Sequence, residues 1–93
     1  MNTLSIQNVP TTNTGLSSGY VVLYRLYVTN TTASNANFSM LVGSTHFIKD
    51  VVIPPGVTLS VLPEDGDNIH HTLSDIYVKA GTANALDVVY TAE

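Results

Sequence analysis

The sequence predicts an all-β fold: an antiparallel β-sandwich or jelly-roll-like barrel of seven to eight short strands. Three observations predict it. Apolar residues recur with period two, and no segment sustains the 3.6 period of a helix. β-Branched and aromatic residues gather in short runs. Between the runs lie Gly, Pro, Asn and Thr clusters, the chemistry of turns. The 93 residues make a single domain spanning 1–93.

The elements follow in order. "TLSIQNV" (3–9) places Leu4 and Ile6 on one face, and "PTTNTGLSSG" (10–19) is a polar loop. "YVVLYRLYVTN" (20–30) is the strongest strand. Arg25 and Thr29 mark one phase as outward, so Val22, Tyr24, Leu26 and Val28 are expected in the core. After a second polar loop (29–37), "FSMLV" (38–42) turns Phe38, Met40 and Val42 inward. "HFIKDVVI" (46–53) is ambiguous, because Lys49 and Asp50 fall on opposite phases. It reads as two short strands or one bent strand. "PPG" (54–56) is a turn, and "VTLSVL" (57–62) sends Val57, Leu59 and Val61 inward. A single helical turn at most is expected, within residues 67–74. "SDIYVKA" (74–80) buries Ile76 and Val78, with Tyr77 and Lys79 outward. "GTAN" (81–84) turns the chain into "ALDVVYT" (85–91), which buries Leu86, Val88 and Tyr90.

Charge is sparse. Charged residues are 11% of the chain, against about 25% in ordinary soluble domains. Three cations, Arg25, Lys49 and Lys79, against a net charge of −4 do not suit a nucleic-acid partner, which needs several phosphates neutralised. The absence of cysteine removes disulfides, thiolate metal sites and a cysteine nucleophile together. The longest apolar run is "YVVLY" (20–24), far short of the ~20 residues of a membrane helix. "MNTLSIQNV" has no basic n-region, so a soluble protein made in a cytoplasm is expected, with no membrane partner.

The stretch "PEDGDNIHHTLSDIYV" (63–78) holds four of the seven carboxylates and two of the three histidines. A calcium loop of the EF-hand kind needs oxygens at alternate positions, a glycine at the sixth and a Glu at the twelfth, whereas Asp65, Asp67 and Asn68 crowd together with Gly66 between the acids. Adjacent His70 and His71 diverge on an extended chain, and zinc needs three or four convergent ligands. Residues 63–67 are therefore expected to be a solvated turn, with no metal and no cofactor. No serine sits in a G-x-S-x-G elbow, and no catalytic residue is assigned. The sequons Asn30-Thr31-Thr32 and Asn37-Phe38-Ser39 read as products of an Asn/Thr-rich loop.

Outward strand positions should be mostly polar, and several here are not. Val21, Leu23, Tyr27, Tyr77 and Val89 fall on outward phases and are the expected interface residues. Tyrosines also stack on sugars, which keeps a carbohydrate-binding adhesin module as an alternative.

"VVIPPGVTLSVL" (51–62) followed by "IYVKAGTANALDVVYTAE" (76–93) resembles the short β-sandwich virion proteins of tailed bacteriophages, including head decoration and cement proteins. "LYVTNTTASNANFSMLVG" (26–43) matches the same strand, Asn/Thr loop, strand plan, and the likeness covers residues 20–93. The resemblance implies a non-enzymatic structural role in the virion, as a homo-oligomer such as a trimer. Its implied partners are identical subunits and the major capsid or another virion protein. A neck or tail component is the alternative within that class.

Overall fold

A computed structural model describes residues 2–62 and 68–93. The strands are β1 (Asn2–Ile6), β2 (Thr14–Gly15), β3 (Val22–Asn30), β4 (Ala36–Val42), β5 (Thr45–Ile53), β6 (Thr58–Ser60), β7 (Ile69–His70), β8 (Ile76–Ala80) and β9 (Leu86–Ala92). A 3-10 turn, Leu73–Asp75, precedes β8. One sheet runs β1-β9-β3-β6, with β7 also on β3, and the other runs β2-β8-β4-β5. All pairings are antiparallel. The strands beyond the expected number are the two-residue pieces β2 and β7, too short for alternation to reveal.

The pairing follows one rule. β4 pairs β5, β3 pairs β6 and β7, β2 pairs β8, and β1 pairs β9, so the chain is a nested double ribbon. Wrapping that ribbon brings β9 beside β3 and β8 beside β4, which is the jelly-roll arrangement. The innermost turn of the ribbon, between Val42 and Thr45, has Gly43 at φ +63, a dihedral a side chain would disfavour. At the next corner, the Val57 N–H donates to the Pro54 carbonyl at 3.2 Å. With Pro55 second and Gly56 third at φ +72, this is a type II turn.

Leu26, Val28, Leu86, Val88 and Tyr90 of one sheet meet Phe38, Met40, Ile53, Ile76 and Val78 of the other in one core. Each such side chain stabilises the fold by about 1.5–3 kcal/mol relative to leaving it in water. Polar ties close the ends. The Tyr90 hydroxyl donates to Ser17 Oγ and accepts from the Ser17 N–H, both at 2.9 Å. Asp87 Oδ1 accepts the Asn8 N–H at 2.9 Å, where the chain leaves β1.

The phase expected for β3 is half corrected. Leu26 and Val28 are buried as expected, but Leu23 is also buried, with 0% exposure, while Val22 and Tyr24 are half-buried. The reason is a bulge. Leu23 pairs with Ala92 and Arg25 with Thr91, which leaves Tyr24 as the extra residue and flips the alternation before it. Leu23 therefore faces the core and is not part of an outward stripe. Val57 also departs from expectation. It is exposed because it ends the type II turn, beyond the last ladder pair Thr29–Thr58. "HFIKDVVI" resolves as one bent strand, β5.

Candidate functional site

The remaining residues of the expected stripe do not share a surface. Tyr27 and Val89 are cross-strand partners on the outer face of the β1-β9-β3-β6 sheet. Around them are hydroxyls: Ser5 lies opposite Val89, and Ser60 opposite Tyr27. Tyr77 is on β8 of the other sheet, flanked by buried Ile76 and Val78, so it faces the opposite side of the molecule. Val21 precedes β3 and is 58% exposed. Only Tyr27 and Val89 are brought together.

Exposed apolar side chains also gather along a strand where sequence reasoning did not place them. Among the described residues, Phe47, Val51 and Val52 on β5 are three of the six exposed large apolar side chains. β5 is the end strand of its sheet, held by β4 on one side. Phe47 is 49% and Val52 56% exposed.

Two irregularities shape this edge. Leu41 pairs with His46 and Met40 with Ile48, leaving Phe47 extra. Phe38 pairs with Val51, so Lys49 and Asp50 together span the place opposite Ser39. Asp50 takes φ +49, and its N–H donates to Ser39 Oγ at 2.9 Å. The Ser39 hydroxyl in turn donates to Asp50 Oδ1 at 3.3 Å. Buried Ser39 thus holds the second bulge. The available sequence signal was the mixed phase of 46–53, since a strand with a charge on each phase is bent or at an edge.

The acid- and histidine-rich stretch is only partly described. The turn expected at residues 63–67 lies outside the described residues. His70 is exposed on β7, and His71 beside it is half-buried, its Nε2 covered and without a hydrogen bond among the described residues. His46 is on β5, in the other sheet. Among the described residues no three acid, histidine or cysteine side chains converge, and no cleft opens. Near the start of β3, the Tyr24 hydroxyl donates to Glu93 Oε2 at 2.9 Å. That hydrogen bond, then burial, then the Glu93 charge raise the Tyr24 pKa above its ordinary 10.0.

No protein-family model, no curated protein and no solved structure matches the chain. What the geometry offers is a surface: a charge-poor sandwich with an apolar edge strand.

Proposed function

We propose that the protein is a non-enzymatic structural subunit of a bacteriophage virion, decorating or cementing the head. The observation that carries this reading is the apolar edge, where Phe47, Val51 and Val52 stand exposed along one strand. A solitary domain gains nothing from apolar side chains in water, whereas a subunit in an assembly buries them. The low charge suits the same role, since few ions need desolvation when such a surface is covered. The resemblance of residues 20–93 to small virion proteins supplies the setting. Jelly rolls serve capsid proteins, lectins and cupins alike, so the fold alone does not choose among them. Carbohydrate binding has less support, because Tyr27 and Tyr77 occupy opposite faces and cannot form one stacking platform.

Quantitative mass spectrometry of purified particles tests the proposal. A copy number on the scale of the capsid lattice is expected. A single ring's worth would move the protein to the neck or tail, and its absence from particles would overturn the virion role.

A further inference from the structure

β5 carries a sequence that is its own complement. Phe47-Ile48-Lys49-Asp50-Val51-Val52 reads apolar, apolar, charged, charged, apolar, apolar from either end, with the two charges of opposite sign. Among the described residues no strand pairs its outer side. We propose that β5 pairs antiparallel with β5 of a second copy across a two-fold axis, joining two four-stranded sheets into one continuous sheet.

The register follows from the bulge. A two-fold axis normal to the sheet can oppose only residues that lie on the same face. In a straight strand, Ile48 and Val51 would lie on opposite faces. Here both face inward, Ile48 opposite Met40 and Val51 opposite Phe38. The second bulge therefore lets Ile48 oppose Val51 of the second copy, with the axis passing between residues 49 and 50. That register sets Lys49 across from Asp50 of the second copy. Asp50 uses Oδ1 toward Ser39, which leaves its other carboxylate oxygen for this lysine. Phe47 approaches Val52 of the second copy, covering the two most exposed apolar residues of the strand.

Bulges and a lysine on an edge normally discourage strand addition. An unrelated edge would meet Lys49 without a matching acid. An identical edge meets opposite charge at both symmetric positions, so the same features that repel other strands select a copy. The pairing takes from the proposed function only the expectation of several copies, and it is tested separately.

Sedimentation velocity over a concentration range should show a reversible dimer. Lys49→Glu, an exposed change that opposes acid to acid, should weaken the dimer by about tenfold or more. Because the chain has no cysteine, single substitutions report proximity directly. Lys49→Cys, beside the axis, should oxidise to a covalent dimer, and Val89→Cys, on the other sheet, should not. Circular dichroism confirms that each variant is folded. A monomer at every concentration, a dimer indifferent to Lys49→Glu, or cross-linking at position 89 instead of 49 would each overturn the pairing. A dimer that passes these tests while particles lack the protein would overturn the virion role alone.

Discussion

Asn30 ends β3 with no exposed surface, and its carboxamide organises the loop that follows. Nδ2 donates to the Ser34 and Ile53 carbonyls, both at 2.8 Å. Oδ1 accepts the Thr32 N–H at 2.9 Å and the Thr32 hydroxyl at 2.7 Å. The sequence alone showed a polar loop and a sequon here; only the neighbouring Ile53 carbonyl reveals an internal clamp. Asn30→Ala should cost about 2–4 kcal/mol by denaturant titration, because buried carbonyls lose their donors. Asn30→Asp should cost more, since a carboxylate would face two carbonyl oxygens. Tyr24 gives a pH signature. Its pKa is raised in the folded state, so its stabilising contribution is present below about pH 10 and is lost as pH rises through the folded value. Following the tyrosine ring carbon by NMR, Glu93→Gln should lower the Tyr24 pKa toward the ordinary value, because the acceptor loses its charge.

At the scale of the element, bulges decide which face a side chain takes. Val22 and Leu23 are neighbours of similar chemistry, and alternation extended back from Leu26 buries the wrong one. Leu23→Ala should cost about 2–5 kcal/mol, the penalty for truncating a fully buried leucine. Val22→Ala, at a half-exposed position, should cost less. Denaturant titration of the two variants checks the order, and the reverse order would put the bulge elsewhere. No feature of "VVLYRLYV" marks Tyr24 as the extra residue. The bulge becomes visible only when Leu23 is seen beside Ala92 and Arg25 beside Thr91. Elements with unbroken alternation were legible. Phe38 and Met40, Ile76 and Val78, and Leu86, Val88 and Tyr90 are all buried as their phase predicts.

At the scale of the molecule, the nested ribbon ties the ends of the chain together. Asn2 pairs with Ala92 and Ile6 with Val88, so β1 closes its ladder only after almost the whole chain has been placed. Loop-closure entropy must be overcome before such contacts stabilise anything, which slows folding. Stopped-flow refolding should therefore take roughly milliseconds to seconds, the range of all-β sandwiches, not microseconds. The chain has five tyrosines and no tryptophan, so tyrosine fluorescence is the probe.

Composition and local sterics are properties of short segments, and the sequence by itself determined what depends on them. The all-β class, the strand runs and the Pro-Pro-Gly corner belong here, because alternation and backbone dihedral limits act over two to four residues. The tertiary structure decided what depends on a neighbour. It separated Tyr27 from Tyr77 by assigning their strands to different sheets, drew Asn30 inward, and left β5 at an edge. A period-two pattern carries only parity, and one bulged residue reverses parity at little local cost. Whether a strand lies at an edge is set by which strands pair beside it, and the residues of that strand do not encode the answer.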